Sequence, residues 1–367
     1  MALTGTAACP LPIRGPSARR AAGDRESLRP GVTVLVPAYN EAESIADTIR
    51  SLQAQTHPVT AIVVIDDFST DGTGDVARAC GATVIRPPRN TGSKAGAQNF
   101  ALSRVKTQFT LAIDADTVLA PDAIEKILGA MDDPAVAAAC GLVIPRHVET
   151  IWERGRYVEY LFAFNFYKPI QNYFGWPLIS SGCFSIYRSP VLFETGGWST
   201  RTMAEDMDLT WTLYQRGHKV RFVPEAVSYP IEPRDFNFMS KQLRRWAHGF
   251  IQNVVLHRRY LLTQPFLRSV VGVALWDGIV ASIAYLFLLP LFAIFVNPLF
   301  LLGYVIDLPA VMVPVMIAAA RRGETLKALG SVPGFLVLRW VNCLFMLRAV
   351  WSELILRKPL LVYEKGH

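Results

Sequence analysis

Two pairs of aspartates are the residues best suited to chemistry, because each pair directly follows a run of apolar and β-branched residues. Asp66 and Asp67 end one run, and Asp114 and Asp116 end another. Parallel sheets bind ligands beyond the carboxyl ends of their strands, so the two pairs are expected at one sheet edge. Crowded carboxylates repel, and a divalent cation with oxygen ligands relieves that repulsion. The pattern indicates a metal site, although either pair could instead begin an Asx-type turn.

The segment after the first predicted strand, Pro37-Ala-Tyr-Asn-Glu41, has no glycine-rich phosphate loop. A dinucleotide site of the Rossmann type is therefore not expected. Tyr39 and Asn40 suit a base and a ribose. A pyrophosphate without a helix-terminus cradle would need metal and cationic side chains, and Lys94 is one candidate cation.

The elements that position these residues alternate in the order of βαβ units, which predicts an α/β fold with a mostly parallel sheet over residues 31–258. The predicted strands are Val32 to Val36, Ala61 to Ile65, Thr83 to Ile85, Phe109 to Ile113 and Val220 to Val223. The predicted helices are Glu41 to Gln53, Asp71 to Ala79, Ser93 to Val105, Pro121 to Met131, Glu205 to Arg216 with Gly217 as its cap, and Phe238 to His257. Tyr157 to Trp176 is an aromatic-rich stretch without a clear period.

The chain has 367 residues, of which 51% are hydrophobic, and most of the long apolar runs follow Ser269. Val270 to Val296 and Leu299 to Ala320 are long enough to cross a bilayer, which predicts two transmembrane helices within residues 270–320. Arg339, Arg348 and Glu353 interrupt a third apolar segment, residues 332–357. That segment is either a third span or a helix lying in the membrane interface.

The net charge of +7 comes with pairs of cations that flank apolar segments, and no basic run interleaved with aromatics occurs in the soluble part. This placement is typical of cytoplasmic membrane borders, so we expect a lipid bilayer and not a nucleic acid as the partner. Residues 1–30 are rich in Ala, Arg, Gly and Pro and predict a disordered basic tail without a signal peptide. The odd number of cysteines, without metal-ligand spacing, indicates reduced cytosolic thiols: Cys9, Cys80, Cys140, Cys183 and Cys343.

Taken together, five motifs resemble those of the family 2 glycosyltransferases with the GT-A fold, over roughly Val32 to Asn253. They are Pro37-Ala-Tyr-Asn-Glu41, Asp66-Asp67-Phe-Ser-Thr-Asp71, Asp114-Ala-Asp116, Ala204-Glu-Asp206 and Gln242-Leu-Arg-Arg-Trp246. The resemblance implies a GT-A catalytic domain followed by C-terminal transmembrane or interfacial helices.

On the donor side, the resemblance implies that Asp67, with Asp66 beside it, reads the uracil ring. Asp114 would lie near the ribose or the sugar. Asp116, together with Asp114, would bind the Mg²⁺ or Mn²⁺ that bridges the diphosphate. The remaining residues expected at the donor are Pro37, Tyr39, Asn40, Glu41, Lys94 and Arg245.

At the reacting centre, Asp206 resembles the family's general base, with Glu205 next to it and Arg245 on the diphosphate. An inverting transfer needs one carboxylate to take the proton of the attacking hydroxyl. The alternative is that Glu205 and Asp206 only favour a helix N-terminus through the helix dipole.

On the acceptor side, Gln242, Arg245 and Trp246 are spaced to share one helix face. The resemblance places Trp246 under the acceptor sugar, whereas the alternative is an interfacial helix with a Trp anchor. The loop with Ser181, Gly182 and Cys183 resembles the family's acceptor loop, or it is a tight turn before a strand.

The motif pair around Asp206 and Trp246 points to membrane synthases of β-linked polymers such as poly-N-acetylglucosamine, hyaluronan, chitin and cellulose. The expected reaction is transfer of N-acetylglucosamine or another hexose from a UDP-sugar to a growing polysaccharide. Non-processive transfer to a lipid or protein acceptor is the alternative, and an inactive membrane scaffold is a third hypothesis. We expect a multi-pass protein of the inner membrane with a cytoplasmic catalytic domain. Polymer export would need a homo-oligomer or an accessory subunit.

Overall fold

A computed structural model describes residues 30–362 of the chain. The predicted tail, apart from Pro30, lies outside the described residues, as does Cys9. The other four cysteines are free thiols.

The core of the protein is one sheet of eight strands in the order β3-β2-β1-β4-β7-β6-β8-β5. β1 pairs in parallel with β2 and β4, and β2 with β3, while β7 is antiparallel to both β4 and β6. The strands are β1 Val32–Ala38, β2 Ala61–Asp66, β3 Thr83–Ile85, β4 Phe109–Ile113, β5 Val118–Leu119, β6 Val136–Val143, β7 Phe184–Arg188 and β8 Lys219–Tyr229. The prediction of a mostly parallel α/β sheet is confirmed.

The register places both aspartate pairs at the same edge of the sheet. Ala38, the last residue of β1, lies opposite Asp66 in β2. β4 borders β1 on its other side and runs directly into Asp114. The expected position of the two pairs at one edge of the sheet is therefore observed, at the carboxyl ends of the two strands that flank β1.

Helices cover both faces of the sheet and continue beyond it. In the catalytic part they are α1 Ile45–Gln53, α2 Thr73–Ala79, α3 Lys94–Leu102, α4 Ala123–Gly129, α5 Ile151–Phe162, α6 Lys168–Tyr173, α7 Ser189–Glu194, α8 Glu205–Gln215, α9 Phe236–Leu256 and α10 Arg258–Thr263. The C-terminal helices are α11 Pro265–Leu275, α12 Leu289–Phe295, α13 Leu308–Arg321 and α14 Thr325–Val350.

Local capping explains several helix boundaries. The Ser93 side chain accepts a hydrogen bond from the Gly96 amide at 3.1 Å and starts α3. Gly217 takes a φ of 81° after α8, as expected of a C-terminal cap. The prediction that α1 begins at Glu41 is wrong, because the Ala42 amide donates to Asp71 at 2.9 Å and the Ser44 hydroxyl to Glu41 at 2.8 Å. These bonds hold residues 41–44 in a turn.

The stretch from Tyr157 to Trp176, which lacks a clear period, is largely helical in the structure. α5 starts at a capping box in which Thr150 accepts from the Glu153 amide and Glu153 accepts from the Thr150 amide. A π-helix, Ala163–Tyr167, then joins α5 to α6. The sequence Thr-x-x-Glu is a known start signal, so this helix was detectable from sequence. β6 was also missed, and β8 extends well past the predicted Val223.

Three C-terminal segments are helices long and apolar enough to cross a membrane: Pro265–Phe295, Pro298–Arg321 and Thr325–Ile355. The first two overlap the predicted spans almost completely, and the first ends one residue before the predicted Val296. They are not uniform α-helices, since the first includes two π-helical stretches and the second begins with a 3-10 helix, Pro298–Tyr304.

The third segment packs closely on the catalytic domain. A Cβ added at Gly155 of α5 would lie 2.7 Å from the carbonyl oxygen of Gly334 in α14, so only glycine permits this crossing. Residues 332–357 were predicted either to cross the membrane or to lie in its interface, and this close contact with α5 is evidence for choosing between the two.

Candidate active site

The loops after β1 and β2 are joined by hydrogen bonds between backbone and side chains. The Asn40 amide donates to the Ser69 hydroxyl at 3.0 Å, and the Asn40 side chain accepts from the Thr70 amide at 2.9 Å. Asn40 has a φ of 52°, a left-handed conformation that asparagine tolerates better than most residues. The two loops therefore present Tyr39, Asn40 and Glu41 on a fixed backbone.

Asp66 and Asp67 both make structural bonds at this edge. Asp66 accepts from the Ser69 amide at 2.9 Å, which is the turn geometry considered as an alternative. Both oxygens of Asp67 accept from Thr91, one from its amide and one from its hydroxyl, each at 2.8 Å. Their contact with a donor base remains a prediction, and Thr91 is a contributor that the sequence did not reveal.

The Asp114-Ala-Asp116 motif is paired with a cation on one side and surrounded by acids on the other. Lys94, at the start of α3, forms an ion pair with Asp114. Asp116 is half-buried, and its pKa is raised well above the usual range by desolvation first and then by Asp114, Glu41 and Glu232. A carboxylate in such a field is stabilised by a bound cation.

No group of three or more His, Cys, Asp or Glu side chains within residues 30–362 is arranged to hold a metal ion. Asp114 and Asp116 alone would leave most coordination positions of a hard cation open. The chemistry of this donor set therefore fits an ion that takes its remaining oxygens from a ligand or from water.

Asp206 lies in the first turn of α8 and is held by two backbone amides. One carboxylate oxygen accepts from the Gly182 amide at 2.8 Å and the other from the Met207 amide at 2.9 Å. Burial raises the pKa of Asp206, while Lys94 and these amides lower it. Burial, followed by the charge of Asp206, raises the pKa of Glu205. The helix-start arrangement considered as the alternative is present, and it also fixes the orientation of Asp206.

Gly182 joins this carboxylate to the donor edge. Its carbonyl oxygen accepts from the Lys94 ammonium at 2.9 Å, while its amide donates to Asp206. A Cβ at this position would lie 2.9 Å from Asp206 and 3.2 Å from the Lys94 nitrogen. Lys94 thus contacts Asp114 and the loop that holds Asp206.

The rest of the Ser180–Cys183 loop is a tight turn before β7, and it also faces the site. The Phe184 amide donates to the Ser181 carbonyl at 3.2 Å, and the Ser181 hydroxyl accepts from Lys168 at 2.6 Å. Burial raises the pKa of the Cys183 thiol, so Cys183 is neutral. Lys168, which is buried, was not singled out from the sequence.

Gln242, Arg245 and Trp246 lie on α9, which reaches the same region. Burial raises the pKa values of Glu205 and Asp206, and the charge of Arg245 opposes this rise at both residues. Gly249 of α9 packs on the start of α8, where an added Cβ would lie 2.7 Å from the Ala204 nitrogen. The five predicted motifs thus converge on one edge of the sheet.

Residues 33–194 match the family described as glycosyl transferase family 2. The matched segment includes three of the five motifs, so the match agrees with the family that the motifs resemble. It is 26% identical over 266 residues, 71% of this chain and 64% of the relative, to a poly-beta-1,6-N-acetyl-D-glucosamine synthase of Staphylococcus aureus strain COL. A Staphylococcus epidermidis synthase of the same name is 27% identical over 224 residues, 60% of this chain and 54% of the relative. The chain thus spans less than two thirds of the length of these curated relatives.

Among solved structures, the chain resembles a mannosyltransferase from Pyrobaculum calidifontis determined with GDP-Man and Mn²⁺. The TM-score is 0.58 at 20% identity, over 90% of this chain and 88% of the other. This likeness confirms the GT-A-like fold.

Proposed function

We propose that this protein is an inverting, metal-dependent glycosyltransferase that transfers N-acetylglucosamine, or another hexose, from a UDP-sugar to a growing β-linked polysaccharide. The observation that carries the proposal is the contact chain Asp114–Lys94–Gly182–Asp206. It joins the donor edge of the sheet to a fixed carboxylate suited to act as a base. The similarity to poly-beta-1,6-N-acetyl-D-glucosamine synthases supports the polymer as product.

The donor would lie across the ends of β1, β2 and β4. Asp67, with Asp66 beside it, would contact the uracil, and the loop Pro37–Glu41 would line the ribose. Lys94 and Arg245 supply the cationic side chains near the diphosphate. Lys94 is the better placed of the two, because it already contacts Asp114.

Asp116 and Asp114 would hold Mg²⁺ or Mn²⁺. When bound, such an ion stabilises the negative charge that develops on a diphosphate leaving group. The raised pKa of Asp116 favours this assignment, since the surrounding acids leave the site with an excess of negative charge.

Asp206 would accept the proton of the acceptor hydroxyl as that oxygen attacks the anomeric carbon. The two backbone amides keep its carboxylate in a defined orientation, and proximity of this kind supplies much of a general base's effect. Trp246 and Gln242 would bind the acceptor sugar, together with the loop at Ser181. Attack from the face opposite the diphosphate gives inversion.

The helices that could cross a membrane support a location of this chemistry at a bilayer. Nucleotide sugars are made in the cytosol, so the catalytic domain would face the cytoplasm of a multi-pass inner-membrane protein. Cations at Arg258, Arg259, Arg321 and Arg322 border the first two segments, as the positive-inside rule requires of cytoplasmic ends.

A second candidate is transfer of one or a few sugars to a lipid or protein acceptor. It is favoured by the small number of helices that could enclose a polymer, three within the described residues. If the product is instead the β-linked polysaccharide, its export would involve a homo-oligomer or an accessory subunit.

The test is product analysis with the full-length protein in nanodiscs, incubated with UDP-GlcNAc, UDP-glucose or GDP-mannose and with Mg²⁺ or Mn²⁺. Mass spectrometry would resolve chain length, and a β-specific hexosaminidase would test the linkage. A ladder of β-linked products that disappears with EDTA supports the proposal. Single additions favour the second candidate, and the absence of any transfer or donor hydrolysis contradicts both.

A further inference from the structure

Arg156 of α5 is a buried cation that touches the two residues proposed for acceptor binding. It is 1% exposed. One guanidinium nitrogen donates to the Gln242 side chain at 2.7 Å, and the guanidinium carbon lies 4.3 Å from the centroid of the Trp246 ring. A single side chain thus contacts both members of the acceptor face.

The surroundings of Arg156 differ from those of an ordinary core position. It is paired with Glu159 and lies 3.6 Å from Glu232, which is only 3% exposed. Within residues 30–362, the Arg156 Nε and one Glu232 oxygen have no hydrogen-bond partner. A buried, partly satisfied ion pair adds little to stability compared with apolar side chains of similar volume. Its position beside Gln242 and Trp246 therefore calls for another explanation.

A further contact joins this ion pair to the C-terminal helix. Glu159 accepts a hydrogen bond from Asn342 of α14 at 2.7 Å. Arg156 is therefore connected to the acceptor face and, through Glu159, to α14.

We propose that Arg156 is a positioning residue for the acceptor, holding the Trp246 ring and the Gln242 amide in the orientation that receives the sugar. This inference rests on the proposed function. The planar guanidinium both stacks on an aromatic face and forms a directed bond to an amide oxygen. A lysine would keep the charge but lose that combination.

The test compares steady-state kinetics of the full-length protein with UDP-GlcNAc as donor and a β-1,6-linked N-acetylglucosamine pentasaccharide as acceptor. The variants are Arg156→Lys, Arg156→Met and the double variant Arg156→Met with Glu232→Gln, which avoids a buried unpaired carboxylate if Arg156→Met alone fails to fold. Arg154→Met is the matched control, because Arg154 lies on the same helix, is exposed, and donates a hydrogen bond to the Gly330 carbonyl at 3.3 Å.

We expect the acceptor KM to rise roughly 10-fold in the Arg156 variants, the scale of a lost desolvated cation–π contact. The donor KM should stay near that of the wild type, since the contacts of Arg156 that carry the inference are with the acceptor residues Gln242 and Trp246. A general loss of folding would change both constants together. An unchanged acceptor KM in Arg156→Lys and in the double variant would overturn the inference, while the proposed function would stand.

A readout that needs no turnover is the thermal unfolding of Arg156→Lys, Trp246→Leu and their combination. Coupled residues give a combined shift in melting temperature smaller than the sum of the single shifts. Additive shifts would contradict the contact. Absence of transfer by the wild type would count against the proposed function alone, because the unfolding comparison still decides whether Arg156 holds Trp246.

Discussion

At the scale of single residues, Asp116 is the best test of the metal site, because its environment is the most acidic in the candidate site. Acids at Asp114, Glu41 and Glu232 add to the desolvation that raises its pKa. Replacing it with asparagine removes one charge from the group that would bind the cation.

We expect Asp116→Asn to abolish transfer and to weaken metal-dependent binding of UDP, because the ion loses a charged ligand next to the diphosphate. Isothermal titration with UDP, with and without Mn²⁺, measures this directly. Asp122→Asn is a suitable control, since Asp122 is only partly buried and is paired with Lys126. Activity that survives both the substitution and EDTA would rule out the metal assignment.

Asp206→Asn should lower turnover by roughly 100-fold or more while leaving UDP binding within a few-fold of the wild type, the usual scale for a general base. Asparagine can keep only one of the hydrogen bonds from Gly182 and Met207, because its side chain has a single acceptor oxygen, and it cannot take a proton. Because burial raises the pKa of Asp206, the wild-type rate should also fall on acidification at a higher pH than for an exposed aspartate. Loss of UDP binding in this variant would instead place Asp206 in the donor site.

Gly182→Ala tests the link between Lys94 and Asp206. The added methyl would meet the Asp206 carboxylate at 2.9 Å, closer than normal Cβ contacts allow. We expect turnover to fall about 10- to 100-fold through displacement of the base, with the melting temperature nearly unchanged because the loop lies at the edge of the site. Gly129→Ala is the control, since nothing lies within 4 Å of a Cβ there. Equal activities of the two variants would contradict the link.

At the scale of elements, the ends of α8 and α9 are joined by a buried ion cluster. Asp208 accepts from His257 at 2.7 Å and from two nitrogens of Arg201 at 2.7 Å each. Burial alone would raise the pKa of Asp208, but the hydrogen bonds from His257 and Arg201 outweigh it and lower the pKa to about 2. This cluster fixes α8, and hence Asp206, relative to the helix that carries Trp246.

Asp208→Asn should destabilise the protein by about 2–4 kcal/mol, because it leaves the buried imidazole without its anionic partner. The lowered pKa means that this contribution is complete above about pH 4 and is lost only as the pH falls toward 2. Thermal unfolding at pH 7 measures the loss. Asp133→Asn, which breaks an exposed pair with Lys219, should cost less than about 1 kcal/mol. Similar decreases in melting temperature for Asp208→Asn and Asp133→Asn would show that the cluster contributes little to stability.

At the scale of the whole molecule, α14 runs beside catalytic helices along its length. Gly334 contacts Gly155 of α5, and near the other end Glu353 accepts from the buried His248 of α9 at 2.6 Å. α9 carries many cations and is not among the helices apolar enough to cross a membrane. α5 is likewise not among the candidate spans in the described residues, and a helix that contacts α5 near one end and α9 near the other would not cross the roughly 30 Å hydrocarbon core. The contacts favour the interfacial alternative for residues 332–357.

The three C-terminal segments are also tied to one another. Asp307, between the 3-10 helix and α13, is paired with Arg339 of α14 and bonded by the Tyr285 hydroxyl of the first segment at 3.2 Å. The pairing explains how ionisable residues are accommodated among apolar helices. The first two segments form a hairpin. The turn at Asn297 is the part of this hairpin that is most distant in sequence from its two ends, which adjoin the catalytic domain and α14.

Cysteine accessibility in intact cells tests this arrangement, on a variant cleared of native cysteines. A cysteine at Asn297 should react with an impermeant maleimide, whereas cysteines at Gly323 and Lys358 should react only after lysis. Labelling of Lys358→Cys from outside would mean that α14 crosses, and labelling of Gly323→Cys would overturn the two-span anchor. The active-site proposals do not depend on either outcome.

The sequence by itself determined the parallel strands β1 to β4, the position of their ligand edge and the aspartates that lie there. Short-range signals suffice for these features, because a strand that runs into Asp66 or Asp114 must deliver it to the carboxyl end of the sheet. The same logic located the first two apolar segments and the cap at Gly217.

Only the tertiary structure decided which partners each motif has. Lys94 reaches both Asp114 and the Gly182 carbonyl, and Arg156 lies under Trp246 across 90 residues of chain. No local pattern marks such pairs, because burial and charge pairing arise from packing between distant elements. The same reason explains α14: its composition permits either crossing or lying flat, and its packing against α5 and α9 favours the second.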